Sequence, residues 1–196
     1  MPFIETVPED QAAGTTAEMY ATEREVYGYV PNFTRAFSHR PAVYAAWRRL
    51  NRAIKSSMDV RRYELATIAA ARRLRSSYCT LAHGSVLIDK FLDAESVKAV
   101  VADHCNAGLS TTDIAVIDLA DKVAGDASSI QASDIERLRS VGLSDEEILD
   151  VVLAAAARCF FAKILDALGV QADAKYGDLD PDIRDVLTVG RAIAQA

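Results

Sequence analysis

Apolar side chains recur along most of this chain at spacings of three and four, the period of a helix with one buried face. Val43, Tyr44, Trp47, Leu50 and Ile54 form the clearest stripe, and Pro41 suits the first position of that helix. Over 59–74 the pattern changes. Leu65, Ile68, Ala69, Ala70 and Leu74, with Asp59 as cap, leave little polar face, which predicts a central helix packed closely by its neighbours. Ser76-Ser77 breaks the pattern, and a second helix follows with Cys79, His83, Val86, Leu87 and Phe91.

Other helices are expected over Glu9 to Tyr27, stopped by Gly28, and over Phe33 to Ser38 with Asn32 as cap. Val97, Val100 and Val101 mark one over Ala94 to His104, and the polar run Ser110 to Asp113 opens another over Ile114 to Ala124. A short helix over Ser133 to Val141 precedes a capping box, Ser144 to Glu147, which starts a long helix from Ile148 to Leu168 with Gly169 as its C-cap. The last is expected over Pro181 to Ala194. No segment alternates as a strand does, so the fold class is all-α, with roughly eight to ten helices for this length.

The organisation expected is one helical domain over 1–196, with an N-terminal arm at 1–40, a helix hairpin at 59–91 and C-terminal helices over 111–196. The pair Glu64–Phe91 is echoed by the Ala-rich, cysteine-containing stretch Glu147–Leu168, as a duplicated helical unit would be.

Charge narrows the function. The formal net charge is −6, and the arginine pairs are short and scattered, which argues against nucleic acid as a partner. Three cysteines are too few, and an odd number, for a secreted disulfide scaffold. The first residues lack the basic start and apolar run of a signal peptide, and the longest apolar run, broken by Arg158, is too short to span a bilayer. A cytoplasmic protein with no membrane partner is expected.

Reactive groups converge at one place. Cys79 and His83 are four residues apart and so share a helix face. A thiol in the first turn of a helix, beside a base, favours the thiolate, and Arg72, Arg73 and Arg75 just upstream are expected to add to that effect. If the break at 75–77 makes an antiparallel hairpin, Glu64 falls about one turn from the level of His83, within reach of a hydrogen bond or a shared water. Cys–His–Glu is then a proton relay: the imidazole takes the thiol proton and the carboxylate orients and charges the ring.

Glu64, Tyr78, Cys79 and His83 fall on a known pattern, a glutamate followed by a C-x-x-C and then a histidine. YCTLAHG reads like its active-site segment. The chain thereby resembles the AhpD-like proteins of the carboxymuconolactone decarboxylase superfamily, and Val30–Phe33 with Ser38–Pro41 resembles their peroxidase-related branch. The resemblance covers roughly 28–91 well and the C-terminal half loosely. It implies a helical homo-oligomer, trimer or hexamer, that needs no cofactor and acts as an antioxidant alkylhydroperoxidase-type oxidoreductase on a small hydroperoxide. The implied catalytic residues are Cys79 as nucleophile, His83 as base and Glu64 as orienter, with Ser76 and Tyr78 at the substrate rim.

One departure matters. Ser76 stands where the first motif cysteine belongs, so no disulfide closes within the motif. A sulfenic acid at Cys79 would need Cys105, Cys159 or an external thiol to resolve it.

Plainer roles stand beside each of these. Cys79 can be a buried small hydrophobe, His83 a satisfied helix residue, Glu64 a first-turn acid, Tyr78 a packing ring and Ser76 a cap. His39 suits a surface loop, and His104-Cys105 has no further ligand close in sequence, so no metal is expected. Two other functions remain open. One is acid–base decarboxylation of a small carboxylated lactone, which needs His83 and Glu64 but not Cys79. The other is a non-catalytic helical oligomer that binds a ligand, its redox motif reduced to one cysteine.

Overall fold

The structure is a computed structural model, describing residues 2–195, and every regular element among them is helical. Ten α-helices follow in order: α1 Gly14–Tyr27, α2 Asn32–Ala36, α3 Pro41–Ser57, α4 Val60–Arg73, α5 Ser77–Lys90, α6 Ala94–Asp103, α7 Thr111–Asp126, α8 Ala132–Ser140, α9 Asp145–Ala167 and α10 Pro181–Leu187. Short 3-10 turns join several of them. The structure thus carries the all-α architecture that the periodicity predicts.

Helix α4 is the centre. Tyr63 through Ala71 are all buried, and α5, α7 and α9 pack around them. Alanines at 66, 69, 70 and 71 let those neighbours come close, while Leu65 and Ile68 fill the spaces between. Each such large side chain contributes about 1.5–3 kcal/mol by leaving water. Asp59 starts the helix by accepting a hydrogen bond from the Arg62 amide at 2.9 Å. α9 starts on the full capping box, Ser144 and Glu147 each satisfying the other's backbone amide.

The turn between α4 and α5 is sharp. Arg75 takes a left-handed conformation, φ 57°, and the chain re-enters a helix two residues later. The C-terminal tail is folded against this turn, which corrects the long final helix expected from sequence. α10 ends at Leu187, after which the Gly190 amide donates to Ser77 Oγ at 2.8 Å and the Ala194 amide to the Ala172 carbonyl at 2.9 Å. A helix running to 194 could not make these contacts. Gly190 lies so close to the Arg75 carbonyl oxygen that a β-carbon there would sit 2.0 Å from it. No helix among the described residues is long and apolar enough to cross a membrane.

Candidate active site

The α4–α5 hairpin sets Glu64 and His83 side by side. His83 Nδ1 and Glu64 Oε2 are 2.6 Å apart, and Lys55, arriving from α3, donates to the other carboxylate oxygen at 2.6 Å. Glu64 is buried, 1 % exposed, and each of its oxygens has a donor inside the protein, the charged Lys55 on one and His83 on the other. Burial pushes its carboxyl up, but His83 and Lys55 outweigh that and hold it at about 2. An ionised carboxylate only accepts, so the proton of neutral His83 resides on Nδ1 and the Nε2 lone pair is left free. Burial and the charge of Arg158 push the imidazole below its ordinary 6.5, against the pull of Glu64. At neutral pH, His83 is therefore an uncharged base.

Cys79 lies in the first turn of α5, buried and free of any disulfide. Its partner is Arg158 of α9, whose Nη1 lies 3.6 Å from the sulfur. Arg158 is itself buried, its guanidinium 5.9 Å from the Trp47 ring centre and 5.6 Å from that of Phe161. Burial works against its charge, but the neighbouring Cys79 and Tyr63 hold it protonated. The cation beside the thiol is thus Arg158, which corrects the expectation placed on Arg72, Arg73 and Arg75. Arg73 reaches Asp121 at 3.8 Å, Arg75 donates to the Val189 carbonyl, and Arg72 faces α6 and α7.

Cys79, His83, Glu64 and Arg158 all border one cavity of about 800 Å³. Phe33, Tyr44, Trp47, Phe161, Tyr78 and Tyr176 form its aromatic walls, and Arg48, Arg52 and Lys175 stand around it. His83 makes no direct hydrogen bond to Cys79 among the described residues, so a proton passing between them crosses the cavity. Tyr78 is fixed by its hydroxyl, which donates to Asp173 and accepts from the Phe33 amide at 3.2 Å. Asp173 also accepts from Tyr29 at 3.0 Å and from the Asn32 amide at 2.8 Å. Burial first, then the Asp173 charge, raises Tyr78 well above a free phenol, so it stays protonated.

The remaining candidates fall elsewhere. Ser76 precedes α5, fully buried and outside the cavity lining; its hydroxyl makes no cap bond and has no partner among the described residues. Cys105 is exposed, Cys159 is half-buried, and neither borders the cavity. His39 is exposed, bonded to the Glu5 carbonyl at 2.9 Å. The structure does bring a third potential ligand to His104-Cys105: Asp118 of α7, with the three ligand atoms within 4.8 Å of one another. Asp118 is already bonded to His104 at 2.7 Å and to Arg137 at 2.8 Å, an ordinary ion-pair cluster. Sequence reasoning missed Lys55, Asp173 and Arg158. For Arg158 a signal existed, a lone cation within the apolar run AAAARCFF.

No family model matches the chain, and neither does any curated protein sequence. Solved structures do. An alkylhydroperoxidase AhpD core, a peroxidase-related protein from Ralstonia eutropha JMP134, superposes with a TM-score of 0.79 at 18% identity, covering 97% of this chain and 98% of that one. A peroxidase-related protein from Silicibacter sp. TM1040 gives 0.76 at 20% identity over 90% and 92%. A cysteine-to-alanine variant of a debrominase, in complex with 2,3,4-tribromopyrrole, gives 0.72 at 12% identity over 93% and 94%. The chain has the AhpD-like fold.

Proposed function

We propose that this protein is an AhpD-like thiol peroxidase that reduces organic hydroperoxides through Cys79, without a cofactor. The observation that carries this reading is the buried guanidinium of Arg158 at 3.6 Å from Sγ, inside a cavity shared with the His83–Glu64 pair. A buried cation placed against a sulfur is suited to hold it as a thiolate during reaction.

His83 Nε2 takes the thiol proton across the cavity, Glu64 holding the ring by Nδ1. The thiolate attacks the terminal peroxide oxygen: an S–O bond forms, the O–O bond breaks, and the departing alkoxide takes the proton from His83. Cys79 is oxidised to sulfenic acid and the hydroperoxide is reduced to an alcohol. An external thiol then condenses with the sulfenic acid, releasing water, and a second thiol reduces the mixed disulfide. The external route is supported by the position of Ser76 in the motif and of Cys105 and Cys159 away from the cavity.

A homo-oligomer, trimer or hexamer, belongs to the same reading. Leu149, Leu153 and Phe160 leave an exposed apolar stripe on α9, and Leu50 is likewise exposed on α3.

The test is dimedone labelling of protein with Cys105 and Cys159 replaced by alanine, after cumene hydroperoxide. Sulfenic acid at Cys79, and loss of hydroperoxide consumption in Cys79→Ser, are expected. Full activity in Cys79→Ser would instead select the acid–base reading. A second thiolate reading draws on the debrominase: the aromatic-walled cavity and lone cysteine would also suit a halogenated ring, and bromide release from a bromopyrrole would reveal it.

A further inference from the structure

The cavity is electrostatically unlike the protein that contains it. The chain carries a formal net charge of −6, yet five cationic side chains border the cavity against two carboxylates, Glu64 and Asp89. Local pairing removes some of this excess. Lys55 is held by Glu64 at 2.6 Å, and Arg48 by Glu23 at 2.5 Å. Arg52, Lys175 and Arg158 have no carboxylate partner among the described residues. Lys175 rests among the rings of Tyr27, Tyr29 and Tyr176, at 5.8, 5.4 and 5.3 Å from their centres. A Cys79 thiolate would offset one of these charges and leave the others.

Arg158 supplies the specific contact. Its Nη1 is engaged with sulfur, but Nε has no partner among the described residues although the side chain is buried, 5 % exposed. A buried guanidinium N–H without an acceptor is costly, and the guanidinium borders the cavity, where a carboxylate arriving from a ligand meets its charge. Trp47 and Phe161, stacked on each other with ring centres 4.9 Å apart, lie beside the guanidinium and belong to the aromatic wall of the cavity.

We propose that the substrate is an aromatic organic acid: its apolar body rests on the aromatic wall of the cavity, and its carboxylate accepts from the Arg158 guanidinium. Arg52 and Lys175 draw the anion to the entrance. This rests on the reading of Cys79 as the reactive centre and adds the class of molecule brought to it.

Trp47 is the one tryptophan in the chain and stands in the cavity wall, so its fluorescence reports occupancy directly. The full-length Cys79→Ser protein is titrated with 3-phenylpropionate and with its uncharged amide. The carboxylate is expected to bind at least about tenfold more tightly, and Arg158→Gln to bring the two within about twofold. Equal affinities, no quenching by either probe to millimolar concentration, or a preference that survives in Arg158→Gln would each overturn the proposal.

Should Arg158→Gln fail to fold, the unsubstituted protein decides. The carboxylate should slow bimane labelling of Cys79 while the amide at the same concentration does not, and equal protection or none refutes the assignment. Dimedone labelling by cumene hydroperoxide, a neutral oxidant, is scored separately. Labelling without carboxylate preference sinks this inference alone, and preference without labelling sinks the peroxidase reading alone.

Discussion

Replacing Arg158 by glutamine removes the charge at 3.6 Å from the Cys79 sulfur and keeps most of the side-chain volume. Coulomb's law sets the scale. A unit pair at that distance interacts by about 1 kcal/mol with water-like screening and by about 5 kcal/mol at an effective dielectric of about 20. Water-like screening is the floor, because both groups are buried. With 1.4 kcal/mol per factor of ten, the bimane labelling rate of Cys79 at pH 7 should fall at least roughly fivefold. Arg158→Lys, which keeps a cation in the wall, should recover a good part of that rate. Cys105 and Cys159 are replaced by alanine so that one thiol is read, and far-UV circular dichroism checks that each variant is folded. A rate within twofold of the parent in Arg158→Gln would refute the argument that this guanidinium activates the sulfur.

Three further outcomes are expected. Glu64, held at about 2 in place of its ordinary 4.5, contributes about 3 kcal/mol at 1.36 kcal/mol per pH unit. Its folded value is the lower one, so the contribution is complete above 4.5 and disappears as the pH falls toward 2. His83, also lowered, adds a slope of the same sign below its ordinary 6.5. Urea unfolding between pH 7 and 3 should therefore be steeper in pH for the parent than for Glu64→Gln by about 2 kcal/mol, and parallel curves would contradict this. Gly190→Ala forces a β-carbon toward the Arg75 carbonyl and should cost about 1–3 kcal/mol, read as a lower Tm, while an unchanged Tm would show that the tail gives way freely. Leu153→Glu with Phe160→Glu should lower the assembly state in sedimentation, leaving a folded protomer, and an unchanged mass would remove the α9 face from the interface.

How much of the site could be read beforehand depended on whether a contact was local. The Glu64–His83 contact followed from helix geometry about one turn, since the position of each residue relative to 75–77 fixes their level in a hairpin. The caps at Asp59 and Ser144 were legible for the same reason: a cap is settled within four residues. Arg158 was not, because it lies 79 residues from Cys79 in the chain and arrives only through the packing of α9 on α4. The three arginines nearest in sequence misled for the complementary reason. Helical rotation and the left-handed turn at Arg75 carry them to the far side of α4, toward α6, α7 and the tail. α10 stopped short of its expected end because the tail's contacts with Ser77 and Ala172 outweigh its helical propensity.

If the proposed function holds, that contrast bears on how one cysteine could serve here. In a dithiol motif the partner sulfur helps to set the reactivity of the attacking one and then closes on it. With Ser76 in that place no second motif thiol is available, and on the proposed reading a cation fixed on a different helix joins His83 in activating Cys79. Fixing it there has a structural consequence: Arg158 must be buried without a carboxylate, since a carboxylate would neutralise the charge the sulfur needs. The unpartnered Nε is the residue of that compromise. On the two proposals together, activation of the thiol and selection of the substrate depend on one side chain. Introducing a carboxylate beside it, by Trp47→Glu, should therefore depress thiol labelling and carboxylate binding together, read here by calorimetry, and separate responses would show that the two functions are independent.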